Sequence, residues 1–495
     1  MAPELSVVLG AIAAVLLIAV LAVRISVRLG LPSLLLYLAI GVLLGEAGIG
    51  IEFENAALTE SLGLAALVLI LTEGGLTTRW GQVKTSLWPG IVLSTVSVGI
   101  SIGITGAALH LVLGFDWRLA LTWGAVLAST DAAAVFSVLR NVAVSRRLVG
   151  ALELESGMND AAAYIAVVLL ASGGTVTWSL PFVMLYELVV GAVIGLLLGF
   201  VGAAALRRAA LPATGLYPLA TVAVTVLAFS AGSAIHASGL LAAYVAALVL
   251  GNSRLPHRTD TLSFAEGLGL LSQIGLFVLL GLFMSPGRLL EAVVPGLVAG
   301  AVVTLLARPA SVIAAMTPFR MPWREQAFLS WAGLRGAVPI VLAMIPLTEG
   351  MRGAQELVDA VFVLVIVLTL VQGSTLQVFA SVLGLGSGAR SQEIDVDAAP
   401  LDELGAVLLQ VRIPGGSKMH GVYLSELRLP VGATVSLLVR KGVGHTPAPG
   451  TRLQEHDQLL VVATEKARNE TEHRIRAVDR AGRYARWKGE TGQEH

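Results

Sequence analysis

Ser129-Thr130-Asp131 and Glu155-Ser156-Gly157-Met158-Asn159-Asp160 are the stretches on which the reading of this chain turns. Both fall inside apolar runs long enough to cross a bilayer, where an aspartate costs roughly 2.5 to 3.5 kcal/mol on insertion scales and by default marks an ion or proton pathway. On a helix Ser156 and Asp160 stand four apart and share a face, with Glu155 and Asn159 on the adjacent strip. A polar stripe so placed looks into a helix bundle. Hard alkali cations need oxygen ligands in place of water, and carboxylate, hydroxyl and backbone carbonyl oxygens supply them.

Around these clusters the chain is apolar: 56% of its 495 residues are hydrophobic and 13% charged, with a mean hydropathy of +0.82. That composition excludes a soluble globular protein and predicts a polytopic one whose partner is the lipid bilayer. Net charge is zero, which argues against nucleic acid, and without cysteine neither disulfides nor thiolate metal sites arise. The first apolar run has no basic region before it and is followed by Arg24 and Arg28, which predicts a retained span rather than a cleaved signal peptide. Many of the 54 glycines lie within apolar runs, as expected where helices pack closely in lipid.

At about 20 apolar residues per span, thirteen helices are expected, near residues 5–24, 31–48, 60–77, 87–113, 117–139, 148–171, 181–206, 214–234, 237–253, 266–284, 290–317, 326–347 and 356–384. Loops after odd-numbered spans carry most of the basic residues, among them Arg79, Lys84, Arg140, Arg146, Arg147, Arg254, Arg258, Arg320 and Arg324. Loops after even-numbered spans carry only Arg118, Arg288 and Arg352. Because cytoplasmic loops hold the Lys and Arg excess, this alternation predicts an external N-terminus and a cytoplasmic C-terminus. Trp80, Trp88, Trp123 and Trp178 near span ends read as an aromatic belt.

From about Gly386 the composition changes. Residues 386–401 read as a linker, and residues 402–465 as a small α+β domain of short β-branched runs separated by turns such as Pro414-Gly415-Gly416 and Pro449-Gly450. Residues 466–495 read as a charged tail that begins as a helix.

Within residues 1–385 three further features bear on chemistry. A segment that unwinds at Thr130-Asp131 would leave free carbonyls, tolerable in a membrane only beside a cavity or an ion. Glu73, in Leu71-Thr72-Glu73-Gly74-Gly75, is another carboxylate near a span end. Arg335, in Gly333-Leu334-Arg335-Gly336-Ala337-Val338-Pro339, predicts a second broken helix and needs an anionic partner, since its guanidinium stays charged.

Taken in order, these motifs closely resemble the monovalent cation:proton antiporter-1 family, over nearly the whole of residues 1–385. The resemblance implies about thirteen helices with inverted repeats, crossed discontinuous helices, a homodimer, and alternating access by a core bundle moving against a dimerisation scaffold. It implies that Asp160 is the essential cation- and proton-binding carboxylate, that Asp131, Ser156 and the Thr130 backbone are further cation ligands, and that Glu73 is another. It implies an ion pair between Glu155 and Arg335. Asn159 stands where electrogenic relatives carry a second aspartate, which implies one-for-one, electroneutral exchange, with Asn159 fixing helices by hydrogen bonds.

Leu429-Pro430-Val431-Gly432-Ala433, Val439-Arg440-Lys441-Gly442 and His456-Asp457-Gln458-Leu459-Leu460 resemble the TrkA-C, or RCK-C, domain of potassium transport systems. The combination implies a potassium/proton antiporter of a cell inner membrane, with a regulatory nucleotide such as cyclic di-AMP as ligand of the soluble domain. Sodium/proton exchange by the same mechanism is the alternative. A gated channel is more remote, for lack of a selectivity-filter repeat such as Thr-Val-Gly-Tyr-Gly. An intramembrane enzyme lacks a His-Glu-x-x-His motif and a histidine partner for Ser156.

Overall fold

The computed structural model describes residues 2–29, 33–46, 48–51, 53–139, 145–173, 180–385, 396–401, 406–488 and 490. Arg140, Trp178 and residues 386–395 of the expected linker lie outside the described residues. The chain forms two units, Met1–Gly386 and Ser387–His495.

The first unit is helical. Thirteen segments follow one another among the described residues: Ala2–Leu29, Ser33–Leu44, Ala56–Thr77, Trp80–Leu113, a fifth in two halves (Trp117–Val126 and Ala132–Leu139), Arg146–Ala171, Leu180–Arg208, Leu216–Ala234, Gly239–Gly251, Arg258–Phe283, Pro286–Phe319, a twelfth in two halves (Trp323–Trp331 and Val338–Thr348), and Ala354–Val382. Local chemistry sets their ends. Asn55 accepts from the Leu58 amide at 2.9 Å to start the third segment, and Ser145 and Ser238 cap the sixth and ninth in the same way. Gly114, at φ 69°, ends the fourth in the left-handed conformation.

Packing divides these segments into two groups. A side chain added at Gly41 would meet the Val278 carbonyl at 2.2 Å, at Gly251 the Leu76 carbonyl at 2.2 Å, and at Gly195 the Ala242 carbonyl at 2.5 Å. Such backbone-to-backbone approaches, the usual route to tight packing where lipid supplies no hydrophobic drive, join segments two, three, seven, nine and ten. Others, at Gly124 against Ile102 and Gly296 against Ala360, join the fourth to the fifth and the eleventh to the thirteenth. Between the groups the close glycine contacts run through side chains, Gly157 to the Tyr244 ring and Gly63 to the Val341 methyls. Trp80 and Trp88 are exposed, but Trp123 is fully buried against Phe115, so it belongs to the core and not to an aromatic belt.

The second unit is an antiparallel five-stranded sheet in the order β1-β2-β5-β3-β4, with β1 Val396–Leu401, β2 Ala406–Arg412, β3 Ala433–Arg440, β4 Val443–His445 and β5 Gln458–Thr464. β2 and β5 bury alternate side chains, among them Val407, Leu409, Leu459 and Val461, as a one-sided sheet requires. Two expectations are corrected here. β1 lies within the stretch read as linker, because its residues pair with β2 from Val396 onward. The domain does not stop at 465: helix Arg468–Ala481, where the charged segment is expected to begin as a helix, buries Ile475 and Val478 in the sheet's core, and Ser417 hydrogen-bonds Asp479.

Candidate ion-binding site at the crossing of two broken helices

The fifth segment loses helical hydrogen bonds between Val126 and Ala132, and the twelfth between Trp331 and Val338. The two unwound stretches cross. The Asp131 amide donates to the Leu334 carbonyl at 2.8 Å, Arg335 donates to the Ser129 carbonyl, and the Thr369 hydroxyl donates to the Arg335 carbonyl at 3.3 Å. Each stretch thus satisfies backbone groups that hydrocarbon could not. Gly336 permits the approach, since a side chain there would lie 2.2 Å from Asp131 Oδ2. Pro339 restarts the twelfth helix in its first turn, where its missing N–H costs nothing.

The sixth segment runs past this crossing. Ser156 Oγ accepts from the Ala132 amide at 3.2 Å, while Asp131 Oδ1 accepts from the Ala134 amide at 3.1 Å, so both help start the second half of the fifth segment. Asn159 donates to the Thr130 hydroxyl at 2.6 Å. Asp160 is 4% exposed. Three buried oxygens here, Ser129 Oγ, Asn159 Oδ1 and Asp160 Oδ1, have no hydrogen-bond partner in the protein. Orphaned buried oxygens are rare and ask for water or a ligand.

The implied pairing of Glu155 with Arg335 is not what forms. Both Glu155 oxygens accept from Arg308, on the eleventh segment, in a buried fork whose second contact is 2.9 Å. A π-helical turn, Val302–Ala307, immediately precedes Arg308, as such turns do at functional positions. Arg335 is 2% exposed, takes the Ser129 carbonyl as acceptor, and lies within electrostatic reach of Glu155 and Asp160. The cationic ends of two arginines and the carboxylates thus balance one another around the crossing.

A cavity of about 300 Å³ leads to Asp160. It is lined by Asp131, Ser156 and Asp160 on one side and by Glu73, Thr77, Thr78, Tyr244 and Gln273 on the other. The structure therefore brings Glu73 to the same space as Asp160. The cavity is one-sided. On the sixth segment its lining stops at Asp160 and on the twelfth at Val338, beyond which Ala161 to Ala163 and Ile340 to Met344 are buried. Arg308, Glu153, Tyr244 and Gln273 did not figure in the sequence reading. Among the described residues no three acidic or histidine side chains converge as a multivalent metal site would need.

A helical bundle with two crossed, broken segments beside a buried carboxylate and a one-sided cavity is the construction of a secondary transporter. The model of the sodium/hydrogen exchanger transmembrane family matches residues 13–382, and the chain belongs to that family. The TrkA-C domain model matches residues 408–476. The chain is 35% identical over 436 residues to the K(+)/H(+) antiporter NhaP of Alkalimonas amylolytica, covering 86% of this chain and 76% of that one. It is 34% identical over 460 residues to the K(+)/H(+) antiporter NhaP2 of Shewanella sp. strain MR-4, covering 91% and 80%. Against the Na(+)/H(+) antiporter ApNhaP of Aphanothece halophytica it is 30% identical, over 73% and 71%. The fold matches the sodium proton antiporter MjNhaP1 from Methanocaldococcus jannaschii with a TM-score of 0.68 at 23% identity, over 77% of this chain and all of that one.

Proposed function

We propose that the chain is a secondary antiporter that exchanges potassium for protons across the cytoplasmic membrane, with cation and proton competing for Asp160. The observation that carries this reading is the one-sided cavity ending at Asp160 and Asp131, where the buried oxygens of Ser129, Asn159 and Asp160 lack partners. Asp131, Ser156, the Thr130 backbone and Glu73 supply the further oxygens that replace water around the cation. Charge sets the rule of exchange. A buried, empty carboxylate is costly, so only the cation-loaded or proton-loaded site changes sides. Because Asn159 donates to Thr130 and brings no second exchangeable charge, one cation moves per proton and the exchange is electroneutral. Apart from the O–H bond made and broken as Asp160 takes up and releases its proton, nothing is chemically converted, so the chain acts as a transporter and not as an enzyme.

Potassium is preferred because the K(+)/H(+) antiporters above resemble this chain over 86% and 91% of its length. Sodium is the second reading, supported by the resemblance to ApNhaP. The excess of basic residues in the loops after odd-numbered spans supports an orientation with Thr77 and Thr78, at the open end of the cavity, toward the cytoplasm. The protein acts as a homodimer in an inner membrane, N-terminus outside, and its cytoplasmic soluble domain adjusts exchange in response to a nucleotide such as cyclic di-AMP.

Proteoliposomes with an imposed pH gradient test the reading. Potassium salts collapse the gradient with the full chain and fail to do so with Asp160→Asn; retention of exchange by that variant would end the proposal. Collapse by sodium alone would keep the mechanism and change the ion. Truncation after Gly388 alters the response to added nucleotide if the soluble domain regulates.

A further inference from the structure

Glu153 takes no part in the exchange derived above. It precedes Asp160 by seven residues on the sixth segment, two turns and roughly 10 Å along the axis, and lines the same cavity. Its Oε2 is buried without a hydrogen-bond partner. Tyr244, from the ninth segment, is 2% exposed and lines the cavity with it. The Tyr244 hydroxyl lies near Thr78 and Glu153 but makes no hydrogen bond of acceptable geometry. Thr78 donates its own proton to the Gly74 carbonyl at 2.7 Å, which leaves its lone pairs to the cavity.

A buried phenol and a buried carboxylate oxygen, both unpartnered, are a second set of orphaned oxygens, separate from the one at the helix crossing. They belong to different groups of helices, Glu153 to the group that carries Asp160 and Tyr244 to the other. The same lining also carries the apolar side chains Leu71, Leu276 and Phe277, which offer a cation no oxygen ligand.

We propose that Glu153, Tyr244 and Thr78 form a waiting station for the transported monovalent cation, occupied on its way between the cytoplasm and Asp160. The proposal rests on the antiport reading above. A cation that sheds water to enter the cavity meets oxygen ligands at the station first and is then handed on to Asp160, two helical turns along the sixth segment.

Two measurements on the full chain decide it. In proteoliposomes Glu153→Gln raises the apparent KM for potassium about fivefold and leaves the maximal rate largely intact. Tyr244→Phe, which keeps the ring against Gly157, raises KM in the same direction by less, and Glu153→Asp recovers part of the loss. Unchanged KM in both Glu153→Gln and Tyr244→Phe overturns the proposal. The second measurement maps carbodiimide modification of Glu153 by mass spectrometry in the Asp160→Asn protein. Potassium protects Glu153 there if the station binds on its own, and modification indifferent to potassium overturns the proposal. If the unaltered chain exchanged no cation, the antiport reading would fail, while the protection experiment would still decide whether the station exists.

Discussion

The two helix groups share close glycine seams and differ in what else fastens them. Segments two, three, seven, nine and ten meet backbone to backbone at Gly41, Gly195 and Gly251, and no charged pair is needed to fasten them. The group around the sixth segment has such seams too, at Gly124 and Gly296, and adds charge and carbonyl: Arg308 on Glu155, Arg335 on the Ser129 carbonyl, Asn159 on Thr130. Apolar seams make a rigid body at little cost in specificity, while a polar crossing holds ionisable groups in fixed relation. Between the groups the contacts run through side chains, such as Gly157 on the Tyr244 ring and the Thr348 hydroxyl on Glu60, and the cavity lies along this interface. That is where sliding is least expensive.

The largest effect should come from the polar group. Arg308→Ala leaves Glu155 buried and unpaired at a cost of about 3 to 5 kcal/mol, read as a lowered unfolding temperature in detergent; replacing Glu155 and Arg308 together by methionine recovers most of it. A small loss in the single variant would mean that Arg335 takes over Glu155 and that the two arginines are interchangeable.

Next comes a matched pair of glycines, each with backbone or carboxylate 2.2 Å from an added side chain. Gly41→Ala overpacks a seam and costs about 1 to 3 kcal/mol of stability, leaving the apparent KM for the cation unchanged in the folded fraction. Gly336→Ala pushes Asp131 aside, and exchange by the folded protein falls at least about tenfold, or 1.4 kcal/mol. If both variants changed stability alone, the division between scaffold and site would be wrong.

The effect on exchange is smallest in the soluble domain, where the loss is read as stability. Arg440 binds both Asp457 oxygens at 2.8 and 2.7 Å, and this hydrogen bond raises the Arg440 pKa above its ordinary value. A folded pKa above the unfolded one gives stability that is present below the unfolded value and lost as pH rises through the folded one. The contribution is therefore constant from about pH 5 to 9. Arg440→Ala costs about 1.5 to 3 kcal/mol, seen as faster amide hydrogen exchange in β5 by a factor that does not vary with pH once intrinsic rates are divided out.

Much of this architecture was legible in the sequence because a membrane imposes few solutions. Apolar length and basic-loop alternation mark thirteen segments, and the polar residues at Thr130-Asp131 and Gly333 to Pro339 mark the two that break. Side-chain partnership was less legible. Arg308 sits inside the expected span 290–317 and poses the same problem of a charge in lipid as Arg335; Pro309 beside it disturbs the turn before it and is the local sign of the π-helical stretch, but nothing in the sequence pairs Arg308 with Glu155. Tyr244 looks like any apolar-helix tyrosine until the ninth segment is laid against the sixth. β1 was read as linker because Val396 to Leu401 contains Asp397 and Pro400 and gains its strand character only by pairing with β2.

In this mechanism cation and proton share one carboxylate. The apparent KM for potassium in proteoliposomes, measured across pH with equal pH on both sides in a tracer-exchange assay, tests it most directly. Competition at Asp160 predicts a KM that rises toward tenfold for each pH unit of acidification in the proton-loaded range, with the maximal rate unchanged. A KM independent of pH, with only the maximal rate falling in acid, would place the proton elsewhere and rule out competition at Asp160.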